Sequence, residues 1–185
     1  MVVLHEVSGF LGEKRRAAVL RLLQSPTLKW ERSDQLGRTT SGRMWQLANS
    51  AMHRRPEVMQ LSTLMASIVY DEVHRTMPDL LPDSSRMVPQ VFPVRMEGND
   101  EEPPAQRAHQ DEAGGRNPLV TSLYYAAADS TVGGALALHD DQGRIRARVS
   151  PTADQLVVIG GRQIHSVEPL TTGRRITIVT NFYDV

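Results

Sequence analysis

The stretch "QLVVIGGRQIHSVEPLTTGRRITIVTNFYD", residues 155–184, decides how the chain folds. Its apolar residues fall into short β-branched runs, Leu156 to Ile159 and Ile176 to Val179, separated by Gly160-Gly161 and by the polar segment ending at Gly173. Runs of that length with glycine punctuation read as strands and tight turns, not as helix. The same grammar extends back to about residue 88 through "MVPQVFPVRM", "NPLVTSLYYAA", "GALALHD" and "RIRARVSP", with "DSTVGG", "DDQG" and "PTAD" supplying turns. Such a series of short strands is the signature of an antiparallel sandwich or jelly roll.

Upstream the period is helical. "VVLHEV" is a short strand candidate, and "SGFLGEKRRAAVLRLLQ" follows with Ser8 as a candidate N-cap. A longer amphipathic helix is expected over residues 56–77, with Pro56 in its first turn and an apolar stripe through Met59, Leu61, Met65, Ile68, Val69 and Val73. Between the helices, "ERSDQLGRTTSGRMWQ" reads as a polar loop able to approach a binding site, and "GNDEEPPAQ" as a solvated connection. The 185 residues therefore read as one domain, with 1–87 a mostly helical support and 88–185 a β core.

Composition narrows the function. Basic and acidic residues balance at 21 each, so no overall field draws the chain to nucleic acid or to an anionic membrane. A small molecule or one local protein segment is the expected partner. Cysteine is absent, which excludes disulfides, thiolate metal sites and thiol nucleophiles and leaves histidine and carboxylate as ligands. The first residues do not read as a signal peptide, and no stretch approaches a transmembrane span, so a cytoplasmic address is expected.

In extended chain, residues two apart face the same way, so His109 and Asp111 of "HQD" can present an imidazole and a carboxylate to one point. His165, after the Gly160-Gly161 turn, can supply a third ligand. Two histidines and one carboxylate on one face of a metal form the facial triad of non-heme iron(II) oxygenases, whose open positions admit oxygen and an organic co-substrate. Alternation along the last strand puts Arg175, Thr177, Val179, Asn181 and Tyr183 on one face. An inward arginine cannot shed its charge and needs an anionic partner, which the far carboxylate of a dicarboxylate ligand would be.

The order "HQD", "TSLYYAA", "VGGALALHD", "VSPTADQLVVI", "RQIHSVEPL", "TGRRITIVTNFYD" resembles the iron(II) and 2-oxoglutarate dependent oxygenases over residues 109–184. The likeness is closest to the prolyl-4-hydroxylase-like branch. It implies a mainly β fold with N-terminal helices, a double-stranded β-helix of jelly-roll, cupin-like form with the helices packed on one sheet. It implies His109, Asp111 and His165 as iron ligands, Arg175 and Tyr125 on the distal carboxylate of 2-oxoglutarate, and Leu136 as an apolar neighbour of that co-substrate. Iron(II), 2-oxoglutarate and O2 are the implied cofactors, with ascorbate as an accessory reductant. Gln110 and Arg116 flank the site as candidate substrate contacts. Asn181 stands where the branch often carries an aromatic residue, and the tyrosine some members have upstream of H-x-D is missing, so prolyl hydroxylation does not follow. Because Asp111 is present, hydroxylation is expected rather than halogenation.

The activity expected is hydroxylation of an unactivated C–H bond in a small molecule, such as an amino acid or biosynthetic intermediate. The alternative is a protein side-chain, prolyl-type hydroxylase, and a third reading is a non-catalytic cupin-like sensor of metal or dicarboxylate. Other groups are expected to be structural. His139 with Asp140 and Asp141 falls at a hairpin turn, and His5, His53 and His74 lack matching partners. Arg174 reads as a surface ion-pair residue, and Met59, Met65 and Met77 as core filling.

Overall fold

The computed structural model describes residues 4–33, 40–48, 54–81 and 86–184. It contains β1 (Leu4–Ser8), α1 (Glu13–Leu23), β2 (Trp30–Arg32), β3 (Thr40–Ser41), β4 (Met44–Leu47), α2 (Pro56–Thr76) and a 3-10 turn at Pro78–Leu80. The β core follows as β5 (Met87–Glu97), β6 (Ala105–His109), β7 (Val120–Gly133), β8 (Leu136–His139), β9 (Ile145–Val149), β10 (Gln155–Gly160), β11 (His165–Val167) and β12 (Leu170–Asp184). Two antiparallel sheets result, a seven-stranded one in the order β1-β10-β7-β12-β5-β4-β2 and a five-stranded one in the order β3-β6-β11-β8-β9. Helices cover one face of the larger sheet and the smaller sheet covers part of the other, which is the expected jelly-roll form.

Alternation along the central strands explains the layering. Tyr124, Leu156, Val158, Ile176, Ile178 and Phe182 point outward and pack with Leu23, Leu61, Met65, Val69 and Val73 of the helices. Their neighbours Leu123, Tyr125, Val157 and Ile159 point inward and pack with Leu136, Leu138 and Val149 of the smaller sheet. Because β7 and β10 are covered on both faces, they read as unbroken apolar runs. A register shift between Ile176 and Thr177 leaves one extra residue in β7, so that Ile176 faces Ala127 while Thr177 faces Tyr125. Bulges of this kind re-aim side chains near functional sites.

Several expectations are corrected. The polar loop at 31–46 contributes three short strands; β2 and β4 pair with each other, β4 extends the larger sheet through β5, and β3 pairs with β6. Ser8 does not cap α1, which begins after Gly12. The backbone N–H groups of Leu11 and Gly12 donate instead to the Asp154 carboxylate, at 3.0 and 2.9 Å, and Tyr124 donates its hydroxyl to the same group. Met59 is exposed and Val58 takes its place in the buried stripe of α2. His53 lies outside the described residues.

His5 does have a partner: its Nε2 lies 3.0 Å from Glu72 Oε1, tying β1 to α2. Burial alone would raise the Glu72 carboxyl, but hydrogen bonds from Arg75 and His5 outweigh it and hold the group below its ordinary value of 4.5. A lowered folded pKa means that stability from this carboxylate is present above the unfolded value and is lost as pH falls through the folded one. Glu72→Gln is therefore expected to flatten the loss of stability below about pH 4.5 relative to wild type. Urea unfolding at stepped acidic pH reads this out; parallel curves for the two proteins would reject it.

Candidate active site

β6 and β11 are antiparallel neighbours in the smaller sheet, and their register sets His165 directly opposite His109. The ring centroids are 4.5 Å apart. Asp111 follows β6 by two residues, and its Oδ1 lies 3.6 Å from His109 Nε2 and 3.9 Å from His165 Nε2. One ligand atom from each of the three residues lies within 4.8 Å of the others, an arrangement that accommodates a metal ion. Both imidazoles are oriented through the far nitrogen: His109 Nδ1 is 2.7 Å from the Arg107 carbonyl and His165 Nδ1 is 2.9 Å from that of Gln163. Nδ1 donation to a carbonyl leaves the Nε2 lone pair free, as metal ligation requires.

The electrostatics of the three groups are coupled. Burial favours a neutral Asp111, but the two imidazoles and the Thr121 hydroxyl outweigh it and keep the carboxyl below its ordinary value. Burial lowers His165, more than the Asp111 charge restores, whereas His109 ends above its ordinary value because the carboxylate and the Arg107 carbonyl overcome its partial burial. The Thr121 hydroxyl donates to Asp111 Oδ2 at 2.9 Å and holds the carboxylate, while Asn117 Nδ2 donates to the Asp111 backbone carbonyl at 2.8 Å and fixes the main chain that carries it. Reasoning from sequence missed both partners. Thr121 shares a strand face with Leu123 and Tyr125 by alternation, the one signal in the sequence that points to it.

Deeper between the sheets lies Arg175, 3 % exposed, whose Nη1 donates to the Gly134 carbonyl at 2.7 Å. Its guanidinium carbon is 5.6 Å from the centre of the Tyr125 ring. Among the described residues no carboxylate forms an ion pair with it, and its Nε has no partner. The Tyr125 hydroxyl and Thr177 Oγ1 are also buried without partners. Burial lowers Arg175 and raises Tyr125, yet a guanidinium stays charged and the phenol stays a donor at neutral pH. An isolated buried cation is costly, so this chamber has the donors and the charge to receive an anion. The Gly133-Gly134 turn that presents the carbonyl has positive φ at both residues, and a Cβ on Gly133 would strike the Pro169 carbonyl.

The remaining candidates fall around this axis. Leu136 is fully buried beside Tyr125 in the same inner cluster. Asn181 is buried on the inner face of β12. Gln110 and Arg116 stay at the surface: the Gln110 amide is spent on the Arg162 carbonyl at 2.6 Å, and Arg116 closes a short bridge with Ala113. Arg174 pairs with Asp129 at 2.9 Å, and the His139 to Gly143 turn is a hairpin in which Asp140 accepts from Arg144 and Arg146, both as expected. The apolar trough along the outer face of α2, by Met59 and Leu64, carries no titratable side chain.

The sequence model of the 2OG-Fe(II) oxygenase superfamily matches residues 102–183, which hold all four residues of this axis. That segment belongs to the 2OG-Fe(II) oxygenases. The oxygenase fold extends over almost the whole chain. A prolyl hydroxylase from Trichoplax adhaerens, solved with a hypoxia inducible factor oxygen degradation domain peptide fragment, is 19 % identical, with a TM-score of 0.68, over 98 % of this chain and 83 % of that one. The Pseudomonas putida prolyl-4-hydroxylase is 17 % identical, with a TM-score of 0.64, over 98 % and 92 % of the two chains. A non-heme alpha-ketoglutarate dependent epimerase from nogalamycin biosynthesis is 14 % identical, with a TM-score of 0.66, over 98 % and 78 %. No curated protein matches in sequence. The match gives this segment the chemistry of an iron(II) and 2-oxoglutarate dependent dioxygenase, with O2 as the oxidant. No helix among the described residues is long and apolar enough to cross a membrane.

Proposed function

We propose that residues 1–185 act as a single hydroxylase of a small molecule, such as an amino acid or biosynthetic intermediate. In this reading His109, Asp111 and His165 hold iron(II), and Arg175 with Tyr125 holds the distal carboxylate of 2-oxoglutarate. The observation that carries it is the convergence of three ligand atoms within 4.8 Å, with both histidines already turned by their Nδ1 contacts. When bound, iron(II) with 2-oxoglutarate and O2 supplies the oxidising power to hydroxylate an unactivated C–H bond. The chain's own residues bind, orient and exclude water. Arg175 gains the anion its buried charge lacks, Tyr125 donates its orphaned hydroxyl, and Leu136 walls the chamber with apolar surface. Thr121 keeps the Asp111 carboxylate from swinging, and Asn117 anchors the Asp111 backbone. The absence of cysteine fits a cytoplasmic setting.

Loss of an outer partner of a metal ligand costs about 10–100-fold in affinity. Thr121→Val, which keeps shape and removes the hydroxyl, is expected to weaken iron(II) or manganese(II) binding by about tenfold without unfolding the sheet. Metal titration by calorimetry reads it; an unchanged dissociation constant would remove Thr121 from the site's support.

Succinate formation by iron-loaded protein, followed by mass spectrometry across a panel of free amino acids, tests the small-molecule reading. A panel member that stimulates succinate and gains 16 mass units supports it. Prolyl hydroxylation of a partner protein is the second reading, favoured by the fold shared with a prolyl hydroxylase solved around a peptide. No response to free metabolites, together with a 16-unit gain on a captured protein, would favour it. A sensor would need neither the open metal face nor turnover.

A further inference from the structure

Asn181 lies on the inner face of β12, paired across the sheet with Thr121 of β7 on one side and Gln90 of β5 on the other. Residues directly opposite in a sheet share a face, with Cβ atoms about 5 Å apart. Thr121 is the residue whose hydroxyl holds Asp111. Asn181 therefore forms the wall next to the ligand cluster, one side chain away from the carboxylate.

The carbonyl end of its amide is unsatisfied. The Tyr183 hydroxyl, two residues further along the same strand face, is directed away to Gln90 Oε1, to which it donates at 3.3 Å. Asn181 is 2 % exposed, and its Oδ1 is buried without a partner. Thr121 cannot serve it, since its one hydroxyl proton goes to Asp111. A buried carbonyl left unpaired is destabilising, and it is tolerated where a ligand completes it.

We propose that Asn181 is a specificity-determining residue whose Oδ1 accepts a hydrogen bond from an N–H or O–H donor of a small polar substrate, carried near the carbon that is oxidised. This rests on the iron and 2-oxoglutarate reading above and narrows its substrate class. A proline inside a peptide has no N–H to offer. The ammonium of a free amino acid or the hydroxyl of a hydroxy acid does. The residue touches substrate and takes no part in holding the metal or the co-substrate.

The test compares wild type, Asn181→Leu and Asn181→Asp, each loaded with iron(II) and 2-oxoglutarate. The probes are free L-amino acids, the matching 2-hydroxy acids, their N-trimethylated and O-methylated analogues, and a peptide with an internal proline. Succinate is measured against concentration. The expected result is stimulation by a donor-bearing probe, with KM raised about tenfold or more in Asn181→Leu while kcat changes little. Asn181→Asp keeps an acceptor: a KM preserved for amino acids but not hydroxy acids identifies an ammonium donor, and the reverse a hydroxyl. The melting temperature of Asn181→Leu should equal or exceed wild type, because an orphaned polar atom has been removed. Should leucine not fit, Asn181→Ala gives the same comparison.

An unchanged KM in the apolar variant overturns the proposal. So does a wild-type response confined to methylated analogues or to the prolyl peptide, or no response to any probe. Anaerobic titration of iron(II) and 2-oxoglutarate into wild type keeps the two readings apart, since failure there refutes the cofactor assignment and not the role of Asn181.

Discussion

Arg175→Met is expected to weaken 2-oxoglutarate binding by about 10²-fold and to leave the metal-free protein as stable as wild type or more so. The two effects share one cause. In the free protein the guanidinium is buried with a single carbonyl contact and no counter-charge among the described residues, so desolvation is largely uncompensated. Replacing it with an unbranched apolar chain removes that cost, at the expense of the Gly134 contact. With 2-oxoglutarate in place the charge is what binds, and losing one member of a buried charge pair costs about 2–5 kcal/mol, or roughly one and a half to three and a half orders of magnitude in affinity. Arg175→Lys keeps a charge without the planar fork and should fall between. Calorimetric titration of the manganese-loaded protein and a thermal scan of the metal-free one measure both sides. Unchanged affinity, or a sharp fall in melting temperature, would mean that Arg175 is a structural residue.

Asp111→Ala is expected to abolish metal-dependent turnover and to lower metal affinity by more than the about 10–100-fold that an outer partner costs. Its second consequence concerns protons. In the metal-free site, burial depresses His165, so this ring is neutral near pH 7 and ready to ligate. His109 is raised despite its burial, chiefly by its hydrogen bond to the Asp111 carboxylate, and holds a proton above its ordinary value of 6.5. A metal must displace that proton. Affinity should therefore climb about tenfold per pH unit until pH passes the raised His109 value, and level off above it. Removing the carboxylate removes the principal cause of the rise, so in Asp111→Ala the residual affinity should level off at lower pH. Calorimetry in two buffers of different ionisation enthalpy counts the protons released. Release unchanged across pH 6–8 would contradict the coupling.

What could be read from sequence was whatever repeats with a short period. Alternation along β12 correctly separated Arg175, Thr177 and Asn181 from Ile176, Ile178 and Phe182, because a strand's two faces meet different layers. Spacing alone put His109 and Asp111 on one side of the chain. What escaped depends on contacts far apart in sequence. Asp154 closes the start of α1 from the turn before β10, which no local capping pattern at Ser8 could reveal. Thr121 is an ordinary strand residue until folding brings its hydroxyl to Asp111. The strands at Trp30–Arg32, Thr40–Ser41 and Met44–Leu47 are too short to show alternation and exist because sheet edges were available to pair with. In α2 the buried stripe includes Val58 and leaves Met59 outside, a shift of one residue that periodicity does not fix when neighbours are both apolar.

The most direct test is a crystal structure of the protein grown with manganese(II) and 2-oxoglutarate under anaerobic conditions. The account places one anomalous peak among His109 Nε2, Asp111 Oδ1 and His165 Nε2, with the far carboxylate of the co-substrate on Arg175 and the Tyr125 hydroxyl. A metal peak elsewhere, or a dicarboxylate bound away from Arg175, would contradict it.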